Sequence, residues 1–176
     1  VEVVAVYTHG HFDHAGGLVP EEWAGPKGAP ELVVPGARDM LQRGVRLLAG
    51  QEDIAEIAER CRISVADIAM LVDGDCVHFG GRRCLVLDAP GHTPGSLCLY
   101  IPPAAATCGG DGDAAAAAGD SPVGAASGSS GEGVLLSGDT LFVGACGGTC
   151  TPEGSAVDMY RSLRRLARGL PRGCIV

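Results

Sequence analysis

The stretch THGHFDHAGG, Thr8 to Gly17, holds three of the chain's five histidines within six residues, with an aspartate among them. It follows directly on VEVVAVY, Val1 to Tyr7, a short β-branched run that reads as a buried strand. A strand that ends in a polar loop presents that loop's side chains from a rigid base. Two residues apart on extended backbone, His9 and His11 project to the same side. Asp13 and His14 come from the following turn and face a second point nearby. Imidazole and carboxylate are the ligands expected for zinc and other borderline divalent metals. The stretch therefore offers halves of two neighbouring metal sites.

Two further segments supply matching parts. APGHTPGS, Ala89 to Ser96, puts His92 on a Gly/Pro-bounded turn between two strand-like runs. LLSGDTLF, Leu135 to Phe142, puts Asp139 directly after a short apolar strand. In each case a strand delivers the chain and a tight loop presents one ligand. The fifth histidine, His78, lies inside a strand without a companion ligand, so a structural or surface role is expected for it.

Around these loops the pattern is mixed α/β. Strands are expected at Glu31–Val34, Cys76–Phe79, Cys84–Leu87, Ser96–Ile101 and Val134–Leu136, with one more starting in PRGCIV at the C-terminus. The glycines of GGR join the second and third of these as a hairpin. A short helix is expected over Ala15–Trp23. Apolar residues at three- and four-residue spacings predict helix from Ala37 to about Met70, divided at Gly50, and an amphipathic helix over Ser155–Arg168. Residues 102–133 are dominated by Ala, Gly, Ser and Asp, a composition that cannot build a packed core. They read as a disordered surface insertion within one domain covering 1–176.

Composition sets further bounds. The chain has 176 residues, 46% of them hydrophobic, enough for a buried core. A formal net charge of −8 without basic tracts excludes nucleic acid and anionic membranes as natural partners. No apolar run reaches transmembrane length. Eight cysteines without a CxxC pair suggest reduced thiols in an intracellular, cytoplasmic protein, with mitochondrion or plastid as alternatives. Cys146 and Cys150 read as incidental thiols of a Gly-rich loop.

THGHFDH, PGHTPGS and SGDTLF, in that order, resemble the metallo-β-lactamase superfamily, whose signature is HxHxDH, then a distant His, then a distant Asp. The resemblance implies an αββα sandwich, here expected to be incomplete at both ends, with metals at one edge of two facing sheets. Carried over by motif, His9, His11 and His92 would hold a first metal. Asp13, His14 and Asp139 would hold a second, with Asp139 bridging. The implied cofactors are two divalent ions, zinc foremost, with iron or manganese as alternatives.

GDTLFVGACGG followed by EGSAVDMYRSLRRLARGLP is similar to the glyoxalase II branch, which hydrolyses S-acylglutathione thioesters. That implies a metal-dependent hydrolase of a small-molecule thioester, acting through a metal-bound hydroxide that Asp13 orients. In that branch a Gly-His-Glu motif follows, so a last ligand is expected past Val176. The position after CG, usually Lys or Arg in the branch, is Gly148 here. The sequence assigns no substrate-binding residue and no oligomeric state. Two alternatives are weighed beside the hydrolase: the mononuclear iron persulfide dioxygenase branch of the same superfamily, and a degenerate, non-catalytic metal-binding member.

Overall fold

A computed structural model describes residues 3–103 and 133–176. Residues 104–132, nearly all of the expected insertion, lie outside the described residues. In chain order the elements are β1 (Val4–Tyr7), α1 (Phe12–Ala15), β2 (Gly17–Leu18), β3 (Val33–Val34), α2 (Ala37–Gln42), β4 (Arg46–Gly50), α3 (Ile54–Cys61), β5 (Ile68–Leu71), β6 (Cys76–Phe79), β7 (Arg82–Asp88), β8 (Leu97–Ile101), β9 (Val134–Leu136) and α4 (Ala156–Gly169). Single 3₁₀ turns occupy Gln51–Asp53 and Val65–Asp67.

Two sheets form. The first is parallel, in the order β1-β4-β5, with Val4 opposite Arg46 and Leu47 opposite Ile68. Parallel neighbours need crossovers, and α2 and α3 lie in the two crossover connections. The second sheet is antiparallel, in the order β6-β7-β8-β9. Its first hairpin turns on Gly80 and Gly81, both at positive φ, as a tight two-residue turn requires.

The alternation along each strand builds three layers of core. Ala5, Tyr7, Leu47, Ala49 and Ile68 face α2 and α3, packing with Ala37, Ile57, Ala58 and Cys61. Val4, Val6, Leu48 and Leu71 face the opposite way and meet Val86, Leu97 and Leu99 of the second sheet. Leu87, Cys98, Tyr100 and Leu135 then pack on Leu166 of α4. The order is helix, sheet, sheet, helix, which is the expected αββα sandwich.

The helix expected over 37–70 is corrected. It is two short helices separated by β4, and β5 closes the span. β4 is the middle strand of a parallel sheet, buried on both faces from Leu47 to Gly50. Such a strand is apolar at every position, and its spacings therefore also satisfy a helical template. The helix expected over Ala15–Trp23 is likewise absent: α1 begins earlier, at Phe12, and the chain turns at Gly16 into β2. The C-terminal run contributes one parallel bridge, Ile175 to Val134, beside β9. α4 is capped by Ser155, whose hydroxyl accepts from Asp158 N at 3.2 Å.

Candidate metal centre

All the candidate ligands lie in the segments that follow strand ends. His9 follows β1, His11 caps α1 on extended backbone, and α1 itself carries Asp13 and His14. His92 lies between β7 and β8, and Asp139 in the turn after β9. The fold brings them together. Ligand atoms of His9, His11 and His92 lie within 4.8 Å of one another, and so do those of His9, His14 and Asp139. Asp139 spans the two groups: Oδ1 is 3.2 Å from His14 Nε2, and Oδ2 is 3.5 Å from His92 Nε2.

The hydrogen bonds at the back of each ring decide what the front can do. His92 Nδ1 is 2.8 Å from the Gly148 carbonyl oxygen. A carbonyl only accepts, so Nδ1 of neutral His92 carries the proton and Nε2 keeps its lone pair. His11 Nε2 is 3.2 Å from Glu153 Oε1, which by the same reasoning leaves the lone pair on Nδ1. These two lone-pair nitrogens then face each other at 2.9 Å. Beside them His9 Nε2 is buried without any hydrogen-bond partner. Burial, and then the neighbouring His14, His11 and His92, push the His9 pKa down to about 2, so this ring is neutral. Buried ring nitrogens that converge without a hydrogen-bond partner are costly unless a cation sits between them. The donor set present thus fits a divalent metal of the borderline class.

Two carboxylates that sequence reasoning missed support the loops. Burial alone would raise the Glu153 pKa. Its own backbone N–H and His11 Nε2 outweigh burial and hold the carboxyl below its ordinary range. Asp53, 1% exposed, receives donors from both histidine loops. Neither carries a spacing signal in the sequence. Asp13, an exposed residue of the first turn of α1, has Oδ2 3.9 Å from His14 Nε2. It stands outside both groups, and His9 rather than Asp13 accompanies His14 and Asp139. His78 is exposed on β6, and Cys146 and Cys150 are exposed.

A cleft of about 750 Å³ opens beside His11, His92 and Asp139. Its walls include Trp23, Glu22, Glu59 and Glu153, and among the described residues Arg60 is its one lysine or arginine. Arg60 already pairs with Glu56 and donates to the Leu18 carbonyl.

The sequence model of the metallo-β-lactamase superfamily matches residues 3–104, more than half of the chain. The chain belongs to the metallo-β-lactamase superfamily. Within this superfamily it is 31% identical over 160 residues to a hydroxyacylglutathione hydrolase of Synechococcus sp. (strain CC9902), covering 91% of the chain and 45% of that protein. It is 29% identical over 161 residues to the hydroxyacylglutathione hydrolase of Maricaulis maris (strain MCS10), covering 91% and 41%. The chain thus spans less than half the length of these relatives. Among solved structures, ETHE1 from Myxococcus xanthus superposes with a TM-score of 0.55 at 18% identity, over 97% of this chain and 50% of that one. That last likeness is one of metallo-β-lactamase fold. Among the described residues no helix is long and apolar enough to cross a membrane.

Proposed function

We propose that this chain binds two divalent metal ions and hydrolyses the acyl bond of a small thioester of the S-acylglutathione type. The observation that carries the reading is the convergence of His9, His11 and His92, with ligand atoms within 4.8 Å of one another and His9 Nε2 buried without a hydrogen-bond partner. His9, His11 and His92 would hold the first ion and His14 and Asp139 the second, with Asp139 reaching both; Asp13, whose Oδ2 is 3.9 Å from His14 Nε2, would have to move in to join the second. When bound, the ions supply Lewis acidity and acidify water toward neutral pH.

The chain's own residues do the rest. Glu153 and the Gly148 carbonyl fix the tautomers of His11 and His92 from behind, as outer-shell partners of metal-binding histidines do. Burial keeps His9 neutral and available. Asp13, exposed and lining the cleft, would orient the attacking water toward the acyl carbon. The cleft holds the remainder of the thioester. The relatives named hydroxyacylglutathione hydrolase favour this substrate class.

The direct test is hydrolysis of S-acylglutathione and of a simpler acyl thioester by zinc-loaded protein, followed by thiol release. Turnover that is lost with His92→Ala is expected. A fully loaded protein that releases no thiol would remove the hydrolase reading. If it instead took up oxygen with a glutathione persulfide, the persulfide dioxygenase alternative would replace it.

A further inference from the structure

We propose that Asp53 is a positioning residue whose buried carboxylate fastens the His9–His11 loop to the His92 loop and so sets the spacing of the metal-binding histidines. The inference rests on the reading of those loops as a metal centre. Asp53 ends the 3₁₀ turn after β4 and is 1% exposed. Its Oδ2 accepts the backbone N–H of Gly10, the residue between His9 and His11, at 2.9 Å. The same oxygen accepts the hydroxyl of Thr93, the residue after His92, at 2.6 Å. Oδ1 accepts the backbone N–H of Gly95 at 2.7 Å.

The three donors come from two different sheets. Gly10 follows β1 of the parallel sheet, while Thr93 and Gly95 join β7 to β8 of the antiparallel one. Side-chain packing between the sheets is non-directional and tolerates small slides. Hydrogen bonds to one planar carboxylate do not. The closeness is built in on both sides. A Cβ on Gly95 would stand 2.5 Å from Asp53 Oδ1, and a Cβ on Gly50 would stand 2.1 Å from the Gly95 oxygen.

Thr93 is fully buried, and its oxygen lies 2.7 Å from Ser96 Oγ. Since Thr93 donates to Asp53, Ser96 donates to Thr93, and the chain of donors ends on the carboxylate. A buried carboxylate is an expensive way to gain stability, because desolvation offsets most of what its hydrogen bonds return. Its specific yield is geometry. Metal ligands must be held to within about half an ångström, and outer-shell losses cost about 10–100-fold in affinity.

The test compares Asp53→Asn, Thr93→Val and Thr93→Ser with the parent chain. The amide nitrogen of an asparagine would face the Gly95 N–H, donor against donor, or the Gly10 and Thr93 donors. Two readouts are used. In metal-free protein, hydrogen exchange at Gly10 and Gly95 should accelerate at least about tenfold in Asp53→Asn, with α4 amides unchanged. In metal-loaded protein, zinc affinity by chelator competition should fall about 10–100-fold, and the cobalt(II) visible spectrum should shift.

Thr93→Val should fall in the same direction by a smaller factor, and Thr93→Ser should restore the parent values. Ile101→Ala, in the core at the end of β8 away from the His92 loop, serves as a stability control and should leave affinity and spectrum unchanged. Unaltered exchange at Gly10 and Gly95 in Asp53→Asn would overturn the proposal. So would native zinc affinity with a native cobalt spectrum in Thr93→Val. Should the parent chain bind no metal, the exchange experiment still decides the fastening, and only the metal reading fails.

Discussion

At the scale of single residues, the centre is defined by where protons cannot be. The Gly148 carbonyl and the Glu153 carboxylate each require a proton on the far side of a ring, so the near sides of His92 and His11 are bare. Removing ligands one at a time should therefore act by group. His92→Ala should lower bound zinc from two equivalents toward one. Asp139→Asn, which touches both groups, should weaken both. His78→Ala should leave zinc content unchanged. Elemental analysis after dialysis reads all three. Glu153→Ala should lower zinc affinity about tenfold, with Glu153→Gln milder because its carbonyl oxygen still accepts from His11. The four histidines and Asp139 that converge were legible in the sequence because residue types able to coordinate stand close to strand ends, while the place of Asp13 outside both groups was not. Asp53 and Glu153 were not. A supporting carboxylate is chosen by the position of backbone N–H groups and ring nitrogens, which only the folded chain reveals.

At the scale of elements, β1, the β6–β7 hairpin, β8, β9 and α4 were legible, because short apolar runs, paired turn glycines and amphipathic spacing each leave a local mark. β4 was not. Leu47 and Leu48 are both buried, one toward the helices and one toward the second sheet. A helix would bury only one of two adjacent leucines. Leu47→Ala and Leu48→Ala should therefore each cost about 2–5 kcal/mol in urea unfolding. Met40→Ala, at a half-exposed position on α2, should stay within about 0.5 kcal/mol. A small effect for either leucine would contradict the strand. The loop after β7 is pinned to α4 as well as to Asp53: Gly91 O accepts from Ser155 N at 2.8 Å, and Pro90 O from Ser162 Oγ at 2.7 Å. Gly91 has φ +145°, and a Cβ there would lie 2.4 Å from Met159 Cα. Gly91→Ala should thus destabilise the fold by about 1–3 kcal/mol and displace His92, read as a lower urea midpoint together with weaker zinc binding.

At the scale of the whole molecule, the αββα sandwich brings loops from two sheets to one end, and the cleft beside them is acidic. Glu22, Glu59 and Glu153 line it, in a chain of net charge −8. An S-acylglutathione carries carboxylates of its own. Screening should therefore lower its KM as ionic strength rises, while the KM of an uncharged acyl thioester stays flat. A KM for S-acylglutathione that rises with salt would mean that cationic groups, not these glutamates, govern its approach. The fold order was legible because three motifs in sequence match one superfamily, yet the charge of the cleft was not, since its walls come from segments far apart in the chain. The most direct measurement is a crystal of the chain grown with zinc and recorded at the zinc absorption edge. Two anomalous peaks are predicted, one enclosed by His9, His11 and His92 and the other beside His14 and Asp139. A map without a peak among these side chains would contradict the metal centre on which the proposed chemistry stands.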